Sequence, residues 1–404
     1  MRRAAPERAY AGVAALCLCA LLAMDAGVAR ADSVYDLLFL GRRIANGDAA
    51  ASALGGSVQL LEDSLGVMQA NPAMLSLAKR VTFGVAQYVT GDHDESTDLS
   101  RDDVSYRLST FIFAFPVHRR LSVGVGFRAR YDAAGGFTTR METSEGAAYT
   151  EVYQRSGGLS SIPLTLAADV TRFLRVGGFA SLERGTIENL WVFDFSSIAD
   201  LDAQSGQRWT LRGTGWGAGV VLRPVHAVTL GAHYESQVDY DTEVEERHTN
   251  DSANGKYTET TVLPERWTGS LLVRIGQRNA VHAGVSVSDF ADFRGLAFPR
   301  DRLGREQMVA VGFERRRAFA GAPVRVSATY ERLPYTLPGG ERLERVGGAI
   351  GTGLSLGGGR GKIDVALEFA RTGSVGTNGY ENRMFRFYVG VGGGETWRGK
   401  QVVE

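Results

Sequence analysis

Pro116-Val117-His118-Arg119-Arg120-Leu121-Ser122-Val123-Gly124-Val125-Gly126-Phe127-Arg128-Ala129-Arg130-Tyr131 is the stretch whose reading decides the fold. A short polar turn opens it. Val123, Val125 and Phe127 then alternate with Gly124, Gly126 and Arg128. Successive side chains of a strand point to opposite faces, so one face is apolar and the other carries arginine. A solvated sheet has such a face, and so does the wall of a membrane barrel with a polar interior.

The pattern repeats on both sides of this hairpin. Period-two segments bounded by turn residues are expected at 81–87, 104–115, 121–131, 162–171, 174–183, 209–222, 228–240, 257–274, 280–289, 305–313, 324–331, 344–356, 362–370 and 383–391, fourteen in all. The connections 116–120, 172–173, 223–227, 275–279, 314–323 and 357–361 are short. Those at 88–103, 132–161, 184–208, 241–256, 290–304, 332–343 and 371–382 are long. Short and long alternate without a break. A soluble sandwich has no reason to collect its long loops at one end, whereas an outer-membrane barrel has short periplasmic turns and longer external loops. Closure also removes the sheet edges that hydrocarbon cannot satisfy. The expected fold is therefore all-β: a 14-stranded antiparallel transmembrane β-barrel in the cell outer membrane of a Gram-negative-type bacterium.

Charged residues within the strands fit that reading. Glu265, Arg266, Arg274, Arg325, Asp364, Glu368, Arg383 and Arg386 are expected to face the lumen. A charge at the bilayer midplane on the lipid face costs about 2–4 kcal/mol. Tyr88, Tyr131, Trp209, Tyr234, Tyr240, Tyr257, Trp267, Tyr330 and Tyr388 lie near strand ends, where interfacial girdles are expected.

Composition narrows the alternatives. Glycine, at 51 of 404 residues, is enriched without a collagen period, while proline is only 10. Formal charge is zero, which gives no polybasic case for nucleic acid. Arg2, Arg3 and Arg8, an apolar run over 11–23 and Ala29-Arg30-Ala31 read as a secretory signal over 1–31. The run is too short to cross a bilayer. Both cysteines, Cys17 and Cys19, lie inside it, so the exported chain offers no disulfide, thiolate nucleophile or cysteine metal site. The six histidines are scattered, and no serine, histidine and acid grouping points to an enzyme. No catalytic, cofactor-binding or metal-binding residues are expected, and no cofactor.

Between signal and barrel, 32–80 fits neither regime. A short helix is plausible over 32–46, with further turns around 60–65 and 72–78. The Gly-rich Ala53-Leu54-Gly55-Gly56-Ser57 is followed by Leu61-Glu62-Asp63-Ser64 and Asn71-Pro72-Ala73-Met74-Leu75. In that order, directly before strand one of fourteen, these stretches resemble the N-terminal hatch of the FadL-like (OMPP1/FadL/TodX) outer-membrane transporters. The last hairpin, with Ile363-Asp364-Val365-Ala366-Leu367-Glu368 and Asn378-Gly379-Tyr380-Glu381, is similar to that of uncharacterised members of the group. The resemblance covers 32 to about 394 and implies a small, partly helical plug in the lumen. Leu54, Gly55, Gly56, Asn71, Pro72, Ala73 and Leu75 are its candidate hatch residues. The barrel is assigned to 81–393 and a C-terminal tail to 394–404, which runs on without the terminal aromatic common in such barrels.

The resemblance implies passive uptake of hydrophobic small molecules such as long-chain fatty acids or hydrocarbons. The loop expected at 190–198 carries Leu190, Trp191, Phe193, Phe195 and Ile198; with Phe137 it forms a candidate external apolar groove. The rival reading is a non-transporting scaffold or assembly partner for surface export. A continuous apolar passage past the hatch favours transport. A lumen sealed and crossed by arginine–carboxylate pairs favours the scaffold. Expected partners are apolar small molecules, outer-membrane lipids and the barrel-assembly machinery that inserts the chain, with no nucleic acid and a monomeric state.

Overall fold

The computed structural model describes residues 40–45, 48–56, 60–61, 70–96, 100–143, 148–195, 203–249, 254–296, 302–319, 321–337, 340–357 and 359–395. The expected signal (1–31), most of the first expected helix and nearly all of the tail lie outside them. Eighteen strand segments form one sheet. One is the two-residue bridge Arg42–Arg43, and three pairs are halves of single interrupted strands, which leaves fourteen strands around the wall. They are β1 (Val81–Ser96), β2 (Ser100–His118), β3 (Leu121–Asp132 and Gly135–Glu142), β4 (Ala148–Asp169), β5 (Leu174–Asp194), β6 (Ala203–Val225) and β7 (Val228–Glu235 and Val238–His248). Then follow β8 (Gly255–Leu263 and Arg266–Ile275), β9 (Asn279–Asp289), β10 (Arg305–Phe319), β11 (Ala322–Thr336), β12 (Arg342–Leu356), β13 (Gly361–Ser374) and β14 (Tyr380–Glu395). Each pairs antiparallel with its successor, and β14 closes on β1 with Tyr388 opposite Tyr88.

Alternation sorts the two faces. Val309, Val311 and Phe313 of β10 and Leu164 and Leu166 of β4 project outward, exposed. The rings of Trp216, Tyr234 and Trp267 adjoin at 5.2 and 4.6 Å on that outer face. Closure leaves no unpaired edge, and the outer band is apolar with an aromatic border, as hydrocarbon requires. The chain is a transmembrane β-barrel of the outer membrane.

The strands run further than expected. A membrane strand needs only about 9–11 residues, yet β5 has 21 and β6 has 23. Much of what reads as long external loop is therefore sheet standing above the bilayer. Leu190–Asp194 is not loop but the end of β5, paired with β4, and Phe137 lies on the second half of β3 rather than in a loop. The expected helix is likewise absent over the described part of 32–46, since Arg42 and Arg43 pair with Asp132 and Tyr131. Strand β8 breaks at Pro264, which has no N–H for the ladder. Tyr88, Tyr131, Trp209, Tyr240 and Tyr388 are buried inside the barrel rather than in girdles. Period-two reading alone does not say which face of a strand is the outer one.

Candidate functional site

The lumen is the feature that decides function, and three layers fill it. The chain enters the described region at Leu40, fully buried among Tyr131, Leu159, Ile187, Trp209, Tyr240, Phe290 and Phe293 on the external side. Phe290 and Phe293 come from the connection after β9, which folds back into the barrel. The Val262 N–H donates to the Arg294 carbonyl at 3.0 Å, and the Leu296 N–H to Glu259 Oε1 at 2.8 Å. Gly295, at φ +96°, makes this approach possible, because a Cβ there would lie 2.5 Å from Thr261 Oγ1. The external mouth is thus occupied by the protein's own apolar side chains.

Beneath that cap lies an ionic layer, carried inward by the Arg42–Arg43 bridge on β3. Arg42 Nη2 meets Asp92 Oδ1 at 2.8 Å, and Asn382 Nδ2 donates to the same carboxylate oxygen at 3.0 Å. Arg43 Nη1 and Arg266 Nη2 share Glu306 at 2.9 and 2.8 Å. Glu235 takes Arg128 at 2.6 Å and Arg130 at 3.2 Å, and Arg130 also reaches Glu183 at 3.2 Å. Towards the short-turn end, Arg325 bridges Glu314 at 3.1 Å and Asp364 at 2.9 Å. All these side chains are buried or nearly so. Desolvating a charge costs several kcal/mol unless it is paired, so each cation here depends on its carboxylate. Of the charges expected in the lumen, Arg266, Arg325, Asp364, Glu368 and Arg386 face inward. Glu265 instead faces outward and accepts from Tyr234 Oη at 2.7 Å, and Arg383 sits exposed at the external rim.

The third layer lies at the short-turn end. A helical turn (Ala49–Ser52) leads into Ala53 and Leu54, and a 3-10 turn (Pro72–Leu77) follows Asn71. Ala50, Ala51, Leu54, Leu60, Leu61, Ala70, Ala73 and Met74 pack on Val221, Leu272 and Ala280 of the wall. Asn71 is fully buried. Its Oδ1 accepts from the Ala73 N–H at 3.0 Å, capping the 3-10 turn, and its Nδ2 donates to the Ala232 carbonyl of β7 at 3.2 Å. The wall makes room where Gly177 and Gly219 face each other across β5 and β6. A Cβ on Gly219 would lie 2.2 Å from Asn71 Oδ1, and one on Gly177 would lie 2.5 Å from the Pro72 carbonyl carbon.

The candidate hatch residues Leu54, Gly55, Asn71, Pro72, Ala73 and Leu75 are all buried within the barrel, and Gly56 is half-buried there. The residues expected as an external groove come together in part. The rings of Phe137, Tyr153 and Trp191 adjoin in tilted pairs across β3, β4 and β5 at 5.4 and 4.5 Å, and Phe193 and Phe195 flank Tyr149 at 6.3 and 5.0 Å. Leu190 pairs with Gln154, and Ile198 lies outside the described residues. Sequence reasoning overlooked Phe290, Phe293 and Leu296. The apolar run Phe290-Ala291-Asp292-Phe293-Arg294-Gly295-Leu296 carries the same signal as the 190–198 segment.

Between the layers, small cavities lie among the described residues. One cavity of ≈ 40 Å³ lies among Arg42, Arg43, Ser52, Arg386 and Tyr388, and another of ≈ 30 Å³ among Ile44, Ala70, Arg130, Glu235 and Arg266. Either holds a few waters, whereas ligand sites run to about 300–1,000 Å³. Among the described residues, no group of three or more histidine, cysteine or acidic side chains is placed to hold a metal ion.

Solved structures share this fold. A Pseudomonas aeruginosa FadL homologue aligns with a TM-score of 0.61 at 10% identity, over 87% of this chain and 99% of its own. The P. putida toluene transporter TodX aligns at 0.58 and 13%, over 86% and 98%. The CymD monoaromatic hydrocarbon channel aligns at 0.55 and 11%, over 87% and 98%. These neighbours are outer-membrane channels rather than enzymes, and at such identities the likeness is one of fold: the barrel is of the FadL type. No curated protein matches the sequence. The family model that does match is that of BamG, over residues 11–271, well over half of the chain, and the protein belongs to the BamG family.

Proposed function

We propose that this barrel is a closed, non-transporting component of the outer membrane that serves the barrel-assembly machinery as a scaffold, with the described residues 40–45, 48–56, 60–61 and 70–78 in its plug. One observation carries the reading. The lumen is blocked in series by an apolar cap, a layer of buried arginine–carboxylate pairs and a packed inner segment. An apolar solute crossing the middle layer would have to separate buried charge pairs, at about 3–5 kcal/mol for each pair broken. The designation of the BamG family, which belongs to the assembly-machinery series, supports the same reading. The test is depletion of the protein in its host, followed by quantification of folded outer-membrane barrels. Loss of folded barrels supports the proposal. Normal barrel levels with impaired growth on hydrocarbons would overturn it.

The second reading, passive uptake of apolar molecules such as long-chain fatty acids or hydrocarbons, draws on the fold shared with hydrocarbon channels and on two surface features. One is the aromatic ladder of Phe137, Tyr153 and Trp191. The other is an apolar recess of ≈ 600 Å³ on the lipid-facing wall, lined by Leu164, Leu166, Val176, Gly178 and Ala180. A solute captured at the ladder would need a route through the wall rather than down the lumen. Replacing Trp191 and Phe193 by polar residues lowers uptake into proteoliposomes on this reading and changes nothing on the first.

A further inference from the structure

Charge is balanced at one end of the barrel and unbalanced at the other. At the external rim, cations meet carboxylates: Arg383 with Glu381 at 2.7 Å, Arg247 with Glu245 at 3.3 Å and Arg305 with Asp289 at 3.6 Å. At the short-turn, periplasmic end, Arg119, Arg120, Arg278, Arg315, Arg317 and Arg360 are all exposed. The carboxylates described at that end are mostly engaged elsewhere. Asp169 holds Lys79 at 2.7 Å, while Glu314 and Asp364 are buried on Arg325. Glu395 is the one exposed carboxylate among the described residues there.

The direction of these arginines selects the partner. On β10 the exposed outward row Val309, Val311, Phe313 continues into Arg315. Two residues of strand advance about 6.6–6.8 Å, so Arg315 stands one outward step beyond the last apolar side chain of the row. On β2, exposed Phe115 and Val117 precede Arg119 of the following turn at the same spacing, and Arg278 lies in the turn just past exposed Ile275 of β8. A surface built to dock a periplasmic protein would point its charges along the barrel axis. Arg315 instead continues a lipid-facing row and Arg119 keeps the same two-residue spacing, while Arg120, Arg278 and Arg360 lie in the short turns beside them. Arginine is suited to phosphate, which it can grip with two parallel N–H bonds.

We propose that this basic collar binds the phosphates of anionic phospholipids in the periplasmic leaflet. The binding is independent of whether the lumen conducts. The full-length protein in nanodiscs of equimolar phosphatidylcholine and phosphatidylglycerol is predicted to retain phosphatidylglycerol selectively when its annular lipids are read by native mass spectrometry. The enrichment expected is at least about five-fold, from the attraction of a basic side chain to an anionic membrane surface, and it falls with added salt. In R119Q/R120Q/R315Q/R317Q it drops towards parity, while the external pair R305Q/R383Q leaves it unchanged. The matching lysine variant, which guards against misfolding of the glutamine one, keeps a measurable enrichment. Parity in the wild type, or enrichment that survives the glutamine variant, overturns the proposal. So does binding of a polyglutamate peptide to the wild type without lipid preference, which would make the collar a protein-docking surface.

Discussion

Glu306→Ala tests the ionic layer at its most connected point. Glu306 is buried and receives Arg43 Nη1 at 2.9 Å and Arg266 Nη2 at 2.8 Å. Removing the carboxylate leaves two guanidinium groups facing each other without the counter-charge they share. Breaking a buried pair by deleting one partner costs about 3–5 kcal/mol. The cheapest relief is local: the bridge Arg42–Arg43 peels from β3 and takes Arg43 towards water. The Ile44 N–H, which donates to the Arg130 carbonyl at 2.9 Å, reports that opening. At about 1.4 kcal/mol per tenfold, hydrogen exchange at Ile44 should accelerate by roughly two to three and a half orders of magnitude in the variant. The β10–β11 amides, held by the wall itself, should exchange as before. The triple change R43M/R266M/E306L replaces the triad by apolar groups of similar volume and should restore most of the protection, since such replacements are often neutral or stabilising. Acceleration of less than about tenfold in E306A would refute the claim that these pairs fasten the inner segment to the wall.

Other expectations follow from the remaining layers. Gly219→Val places a side chain where Asn71 Oδ1 already sits 2.2 Å from the added Cβ, so the 70–78 segment should loosen by about 1–3 kcal/mol, seen as faster exchange there with the barrel intact. Asn71→Ala strands the buried Ala73 N–H and removes the tie to the Ala232 carbonyl, and should cost about 1–3 kcal/mol, measured the same way. Removing the fully buried Phe290 and Phe293 rings together should open the external cap at about 3–5 kcal/mol each, read as loss of protection over 290–296. At the periplasmic turn, burial pushes the Asp169 carboxyl up, but the hydrogen bond from Lys79 and the charges of Lys79 and Arg175 outweigh it and hold the group below its ordinary value. Its contribution is therefore complete above the ordinary carboxylate pKa of 3.8 and is lost as pH falls below it. Exchange at 76–80 should stay constant from neutrality down to about that pH and rise only in stronger acid. In Asp169→Asn the acid step disappears.

Much of the wall was legible because a barrel strand obeys one rule. Alternation at Val123, Val125 and Phe127 against Gly124, Gly126 and Arg128 repeats through fourteen strands, and chain closure adds nothing that a strand must encode separately. That Asn71, Pro72 and Ala73 do not belong to the period-two wall was legible from a short motif and its distance from β1. Strand length was not. The sheet above the membrane has the same period as the sheet within it, so Leu190 to Asp194 read as loop. The direction of a tyrosine was also hidden, because Tyr88 and Tyr234 sit in similar local patterns yet face opposite sides of the wall. Hardest to foresee was the cap. Whether Phe290 and Phe293 lie on the surface or fold back between β8 and β11 depends on the space the other strands leave, which no local stretch records.

The account stands most directly on one measurement: uptake of labelled toluene and labelled oleate by liposomes containing the purified full-length protein, against protein-free liposomes of the same lipid. A lumen closed in three layers predicts the same uptake in both for either solute, with no protein-dependent single-channel conductance in planar bilayers. Saturable, protein-dependent uptake of either solute would contradict the closed-lumen account and return the chain to the transporters whose fold it shares.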